Sequence, residues 1–241
     1  MSVRTQVHFD GKPLTDLLVV GKLQRPLLPR RAEYVSVPGA DGAIFAGVVD
    51  DTRILKLTLT IRDQSPVARA QAARELAAAL DVDSPRPLYI SEDGGLWYMA
   101  MPTSGADGIR YVGAESFEVE FTCDACMYGE TISASLDIAA TTGIQTVVVG
   151  GTKPTPAKLE ATLTGSGTWR LALDGTDAYT ATVSGSATAS IDAESRVALM
   201  DGEVYALPPT NEWIWLTPGI HELRSFNVRT QGSLSWTERW A

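Results

Sequence analysis

The stretch Phe117-Glu-Val-Glu-Phe-Thr-Cys-Asp-Ala-Cys-Met-Tyr-Gly129 separates two parts of the chain that differ in composition. It starts as a strict alternation in which Phe117, Val119 and Phe121 are apolar and the residues between them are polar. This is the pattern of a half-buried β-strand. The alternation ends before Gly129, and the residues that follow are mostly small and polar. We therefore interpret the stretch as the last strand of a first domain, with a second domain after it.

The first domain, residues 1–129, is predicted to be rich in β-strands and to contain one helix. Residues Ile54–Ile61 alternate leucine or isoleucine with lysine or threonine, which predicts a strand with one buried face. Ser65 as N-cap and Pro66 at the first helical position predict a helix over residues 66–81. The inward face of this helix is predicted to hold Ala73, Leu76, Ala77 and Leu80.

Residues 21–43 of this domain have no clear strand or helix pattern. They contain Pro26, Pro29 and Pro38 and end in the turn signal Pro38-Gly-Ala-Asp-Gly42. A proline-rich segment of this length is too long for an ordinary hairpin loop. We therefore interpret it as either a functional loop or an irregular sheet edge.

The second domain, residues 130–241, is rich in threonine, serine, glycine and alanine and shows no helix pattern. Its short apolar runs are separated by turn signals at intervals of roughly 8–12 residues, the spacing typical of a β-sandwich. The predicted fold class is therefore mainly β: a β-rich domain with one α-helix, followed by a β-sandwich.

Charge and composition restrict the function. The net charge is −9, and residues 1–129 hold 13 basic and 17 acidic side chains, while residues 130–241 hold 7 and 12. Neither domain has the basic excess that binding to nucleic acid requires. The first ten residues lack the apolar core of a signal peptide, and no run is long enough to span a bilayer. We expect a protein that is made and folded in a cytoplasm and is not inserted in a membrane.

The motif Cys123-x-x-Cys126 has three interpretations: a redox pair, a zinc site or two structural thiols. A reactive pair with this spacing normally lies at a helix N-terminus, whereas this one follows a strand. A structural zinc needs four ligands, and the two histidines, His8 and His221, are distant in sequence. Free cysteine is commonly a small buried apolar residue, so we favour structural thiols and predict neither metal nor cofactor.

The sequence also predicts no catalytic site. Neither histidine lies in a hydrolase motif. Paired carboxylates can hydrolyse glycosides, but the candidate pairs all fall at predicted turns or strand ends, where acidic residues are simply solvated. These pairs are Asp50 with Asp51, Glu92 with Asp93, and Asp192 with Glu194.

Tryptophans are concentrated in the second domain, and Trp213 and Trp215 lie on the same face of a predicted strand. Aromatic rows on a β-sandwich can stack on sugar rings or form an interface. They can equally pack in the core of the sandwich. These two residues are therefore candidates for contact with a glycan or a protein partner.

In order and spacing, these segments resemble the distal tail proteins of siphovirus-type bacteriophages. The resemblance runs through nearly the whole chain. It rests on Phe9-Asp-Gly11, Val37-Pro-Gly-Ala-Asp-Gly42, the strand Ile54–Ile61, the helix 66–81, Cys123-Asp-Ala-Cys-Met-Tyr-Gly129, Gly151–Pro156, Ser190-Ile-Asp192, Leu216-Thr-Pro-Gly219 and a final strand ending in Trp240.

The resemblance implies that the first domain closes into a homohexameric ring and that the second is a galectin-like β-sandwich outside that ring. The ring would be a non-enzymatic hub at the tail tip of the virion, built from protein synthesised in the cytoplasm of the host bacterium. Its partners would be the tail tube protein, the tape-measure protein, and the tail-tip or baseplate hub and receptor-binding proteins.

A ring with head-to-tail contacts needs two different complementary surfaces on each subunit. The segment 25–42, with its arginines and prolines, is our candidate for one of them. Within it, the proposed inter-subunit contact residues are Arg25, Arg30, Arg31 and Asp41. The alternative function is a lectin-like protein that binds host-surface glycans through the β-sandwich.

Overall fold

The computed structural model describes residues 5–14, 19–27, 30–39, 41–62, 65–103, 107–111, 114–140, 143–208 and 212–241. The chain divides into two compact units, the first ending at Tyr128 and the second starting at Gly129. Strands dominate both units and a single α-helix is described, which confirms the predicted mainly-β fold class. No described helix is long and apolar enough to cross a membrane.

The first unit contains ten described strands, one α-helix and a 3-10 turn at Ser91–Asp93. The elements are β1 (Val7–Phe9), β2 (Lys12–Pro13), β3 (Val19–Gln24), β4 (Arg30–Ser36), β5 (Ala43–Asp50), β6 (Arg53–Arg62), α1 (Pro66–Leu80), β7 (Arg86–Ile90), β8 (Trp97–Pro102), β9 (Asp107–Tyr111) and β10 (Ala114–Cys123).

Strand β6 is central to this unit and pairs antiparallel with β3 on one side and β10 on the other. The first half of β10 also pairs with β9, and its last residues pair with β8. From β8 the sheet continues to β7, then to β1 and finally to β2. The strands predicted at 54–61 and 117–122 are thus confirmed, and the structure shows that they are neighbours. Their apolar residues meet directly across the ladder and are buried, as in the pairs Leu57 with Val119 and Leu55 with Phe121.

Helix α1 is also confirmed, with one correction. The Ser65 hydroxyl accepts a hydrogen bond from the Ala68 N–H at 3.2 Å, so Ser65 is the N-cap as predicted. Leu76 is buried against the core, but its buried neighbour is Ala72, and Ala77 is exposed. Successive residues are 100° apart around a helix, so turning Ala72 and Leu76 inward leaves Ala77 in solvent.

The second unit is built from strands alone in its described part. They are β11 (Met127–Ile138, which begins in the first unit), β12 (Ile144–Val149), β13 (Thr155–Leu173), β14 (Thr176–Asp192), β15 (Val197–Met200), β16 (Glu203–Val204), β17 (Trp215–Leu216), β18 (Gly219–Phe226) and β19 (Arg229–Trp240).

The long hairpin β13–β14 takes part in two sheets. Residues 157–164 of β13 pair with β19, whereas residues 170–173 pair with β18, which also pairs with β12. Between these halves, Gly165 and Gly167 have φ near +135°, and Gly185 opposite Gly165 has φ +86°. Residues that carry a Cβ rarely adopt these backbone conformations. The glycines therefore permit the hairpin to bend, so that one half pairs with β19 and the other half with β18. Inward residues of both sheets form one apolar core, as in a β-sandwich.

Candidate subunit interface

The β4–β5 hairpin forms a two-stranded sheet of its own. Every residue of β4 is exposed, and so is every residue of β5 except the half-buried Gly47. The sequence interpretation of residues 21–43 is a functional loop or an irregular sheet edge. Both alternatives are wrong for β4, which pairs with β5 from Arg30–Asp50 to Ser36–Ala43 in a sheet of two strands. An isolated hairpin is only marginally stable in water, so this one requires a further surface to pack against.

Apolar side chains cover both faces of the hairpin. On one face Tyr34 and Phe45 are opposite each other, with ring centroids 5.8 Å apart in an edge-to-face arrangement, and are 62% and 54% exposed. Val48 extends this face, and Val35 and Ile44 form an exposed pair on the other. Exposed apolar clusters of this kind mark interaction sites. Aromatic residues are also the side chains most enriched at protein interfaces.

The predicted contact residues lie at the two ends of this hairpin. Arg25 bonds Asp93, Arg30 bonds Asp50 with Nε 3.3 Å from Oδ1, and Arg31 lies 3.7 Å from Glu33 and 3.8 Å from Asp51. Asp41 is exposed at the turn between β4 and β5. All three arginines thus make ion pairs within the chain, and those of Arg30 and Arg31 lie at the base of the hairpin. Their part in a subunit contact stays a prediction.

The sequence interpretation missed the residues that make this hairpin an interface candidate, above all Tyr34 and Phe45. A signal was present in the run Ala43-Ile-Phe-Ala-Gly-Val-Val49, which directly follows a proline-glycine turn. Apolar runs of this length bounded by turn residues are typical of strands. Its lack of alternation reflects a strand with apolar residues on both faces.

The candidate carboxylate pairs have structural partners. Asp50, Asp51 and Asp93 bind the arginines described above, and Glu194 binds Arg239. Asp192 accepts hydrogen bonds from the N–H groups of Glu194 and Ser195 at 2.9 and 3.1 Å, as a turn-forming aspartate does. The paired carboxylates of Asp50, Asp51 and Glu194 are exposed, as expected for solvated turns, but the Asp93 side chain is only 6% exposed, so the solvated-turn interpretation is wrong for Asp93.

The Cys123 thiol is buried, and this burial raises its pKa to about 12, against a smaller lowering by Arg53. It therefore stays protonated at neutral pH, which disfavours a nucleophilic role. Among the residues that the structure describes, no three His, Cys, Asp or Glu side chains come together as metal ligands.

The two candidate tryptophans do not form an open platform. Trp213 is partly buried and packs against the core of the sandwich. Trp215 is 43% exposed, but the Arg239 guanidinium lies 5.6 Å from the centre of its ring. Sugar binding usually needs an accessible ring face, so the structure offers at most Trp215. The lectin alternative stays a prediction.

A histidine–aspartate pair in the second unit joins β18 to the β13–β14 turn. His221 is 6% exposed, and its Nδ1 and Nε2 lie 2.6 Å from Asp174 Oδ2 and the Thr217 carbonyl oxygen. Both partners are acceptors, so both bonds form only when the imidazole carries two protons. Burial alone would lower the pKa of His221, but the bonds to Thr217 and Asp174 outweigh it and raise that pKa above 6.5.

We expect the second unit to lose stability as pH rises through this raised pKa. The folded protein binds a proton at His221 that the unfolded chain releases near pH 6.5, so the stabilisation is complete below that pH. Above it, the free energy of unfolding should fall by up to about 1.4 kcal/mol per pH unit until the folded pKa is passed. Urea titrations between pH 5.5 and 8.5 measure this, and His221→Gln should flatten the slope.

His8→Gln is the matched control and should keep the slope of the parent protein.

At acid pH Asp174, the hydrogen-bond partner of His221, has the opposite dependence on pH. Burial alone would raise the pKa of Asp174, but bonds from His221 and the Glu222 N–H lower it below 3.8. Its stabilisation is therefore present above pH 3.8 and lost on further acidification. A slope that is unchanged in His221→Gln would contradict the assignment.

Comparison with known proteins gives two findings. Residues 12–123 match the family described as phage tail protein RIFT-related domain. The crystal structure of the Dit (gp 19.1) protein of phage SPP1, described as a hub of the adsorption apparatus in phages that infect Gram-positive bacteria, superposes with a TM-score of 0.78. That match covers 98% of this chain and 99% of the SPP1 protein at 17% sequence identity.

Weaker similarity extends to a chain in the phage p2 baseplate in its activated conformation with Sr, with a TM-score of 0.48, 9% identity and coverage of 98% of this chain and 97% of the other. No curated protein sequence matches significantly. The family match and the SPP1 superposition confirm the resemblance found in the sequence. Residues 12–123 therefore carry the phage tail protein RIFT-related domain, and the chain as a whole has the fold of the SPP1 Dit protein.

Proposed function

We propose that this protein is a non-enzymatic hub of a phage tail, whose copies assemble into a homohexameric ring through the β4–β5 hairpin. The carrying observation is that hairpin: two regular strands with Tyr34 and Phe45 exposed and no covering element among the described residues. Burying these side chains against another copy would take the exposed apolar surface out of water and would stabilise a hairpin that is only marginally stable in isolation.

A head-to-tail contact is the arrangement that this hairpin favours. Such a contact uses two different patches on each subunit and forms a ring when its rotation closes. The hairpin supplies one projecting patch, and its receiving surface must lie elsewhere on the subunit. The number six comes from the resemblance to distal tail proteins, not from the geometry of one subunit.

In this proposal the domain of residues 1–129 forms the ring and the domain of residues 130–241 is a galectin-like sandwich. The ring would connect the end of the tail tube to the tail-tip or baseplate proteins, with the tube, tape-measure and receptor-binding proteins as neighbours in the virion. The fold shared with the SPP1 Dit protein supports this role, as does the tail-protein domain at residues 12–123.

Light scattering coupled to size exclusion tests the assembly. We expect a particle of six times the chain mass of 25.8 kDa, or a multiple of it when two rings stack. Negative-stain images should show rings with sixfold symmetry and a central opening. A protein that remains monomeric at every concentration would contradict the proposal.

A further inference from the structure

A groove lies at the base of the β4–β5 hairpin, where β3 ends and β6 begins. Its volume is about 450 Å³, enough for a few side chains of a partner. The lining residues are Gln24, Arg25, Pro26, Arg30, Asp51, Thr52, Ile54 and Lys56. The groove therefore combines an apolar part with three cations and one carboxylate.

The apolar part is provided chiefly by Ile54, which is 44% exposed. The other outward-facing residues of β6 are lysine and threonines, so this isoleucine stands out on the strand. An apolar group from another molecule that covered Ile54 in this cavity would remove the exposed part of its side chain from water. Pro26 adds a second apolar side to the same groove.

The cations of the groove keep hydrogen-bonding capacity. In the described contacts Arg30 uses Nε for Asp50 and Arg25 uses one Nη for Asp93. A guanidinium has five N–H donors, so each arginine has donors left for a further carboxylate. Arginine can bind a carboxylate with two parallel hydrogen bonds, which gives directional recognition. The groove is thus suited to a short segment that carries apolar side chains and one carboxylate.

The turn of the hairpin has this composition. Val37 is exposed, Asp41 is the one charged residue of the turn, and Ile44 follows as an exposed apolar side chain. Gly39 and Gly42 have φ of +85° and +90°, conformations that favour glycine. Since neither glycine carries a side chain, the tip is narrow at these two positions. Its apolar side chains and its carboxylate also match the apolar part and the arginines of the groove.

The reach of the hairpin excludes binding within one chain. Its strands span up to eight residues, or about 25 Å at roughly 3.3 Å per residue, with the groove at one end and the tip at the other. A tip can therefore enter only the groove of a second copy. We propose that the tip of each hairpin, with its described residues Val37, Asp41 and Ile44, binds in the groove around Ile54 of the next copy, an inference that rests on the proposed ring.

Thiol crosslinking tests this contact. A variant with Val37→Cys and Ile54→Cys, treated with a short bifunctional thiol reagent, should give a ladder of covalent multimers on a denaturing gel. Each single variant has only one member of the contact and should give no more multimers than the parent protein, whose half-buried Cys126 is present in every variant. The matched control, Val37→Cys with Val67→Cys, places the second thiol on an exposed position of α1 and should give at least tenfold less crosslinking.

The outcomes separate this inference from the proposed function. An assembly that is intact by light scattering but does not crosslink above the control overturns the tip–groove contact and leaves the ring standing. A monomeric parent protein overturns both. If the cysteine variants do not assemble, the contact is tested with Asp41→Lys instead. Because Asp41 is exposed, this substitution should leave the fold of the subunit unchanged. It should raise the dissociation constant at least tenfold, with Glu203→Lys on exposed β16 as control, and an unchanged constant overturns the contact.

Discussion

A variant with Tyr34→Ser and Phe45→Ser is expected to be a folded monomer. The two rings are opposite each other on one face of the β4–β5 hairpin and have no covering partner among the described residues. Serine has a small polar side chain that suits an exposed strand position, and the double substitution removes both aromatic rings. Because both side chains are already exposed in the subunit, their loss should affect association far more than folding.

The expected effect is large because aromatic residues contribute disproportionately to interface free energy. Truncating one buried interfacial aromatic side chain commonly costs about 2 kcal/mol or more. Two of them should weaken each contact by about 4 kcal/mol, which is roughly a thousandfold in the association constant. A ring that uses the same contact at every junction loses this free energy at each one.

Light scattering measures the mass, and circular dichroism during heating measures the fold. The matched control is Val148→Ser with Ile220→Ser, a cross-strand pair in the second unit whose members are 66% and 71% exposed. We expect the control to assemble as the parent does. If the hairpin variant also assembled normally, the hairpin would not be the subunit contact.

The sequence predicted those strands that turn one face towards the core of the chain. The alternating residues of 54–61 and 117–122 are buried on one face, so solvent and core impose a period of two on them. Strands β4 and β5 have no core on either face, and their composition follows no such alternation. The only strand signal in their sequence is therefore the apolar run from Ala43 to Val49, and β4 carries no such signal.

The candidate site overlaps the segment predicted from the sequence only in part. The resemblance directed attention to residues 25–42, which contain β4 and the turn but not β5 with Phe45. The ion partners of Arg25, Arg30 and Arg31 include Asp93 and Asp50, which lie 68 and 20 residues along the chain from their partners. Contacts between residues so far apart follow from the folded topology. Local sequence patterns therefore could not show that these cations have partners in the chain.

The second large effect is expected for Trp169→Ala, which should strongly destabilise the second unit. Trp169 is 1% exposed in the sandwich core, and its Nε1 donates to Thr230 Oγ1 at 2.9 Å and lies 3.2 Å from Ser225 Oγ. Removing a buried tryptophan costs about 3–5 kcal/mol through lost burial and the cavity left behind. The buried hydroxyls of Ser225 and Thr230, which lie 2.8 Å apart, would also lose the hydrogen bond that the Trp169 N–H donates to them.

Urea denaturation followed by circular dichroism measures this loss, and about 4 kcal/mol should lower the midpoint by about 2 M. Trp169→Phe keeps an aromatic ring but no N–H donor, so it should cost less than the alanine variant. Trp215→Phe, at a half-exposed position, should change stability by less than about 1 kcal/mol. Because the β4–β5 hairpin belongs to the first unit, Trp169→Ala should still assemble under native conditions. A cost below about 1 kcal/mol would show that Trp169 is not a core residue, whereas loss of assembly at full stability would show that the second unit takes part in the subunit contact.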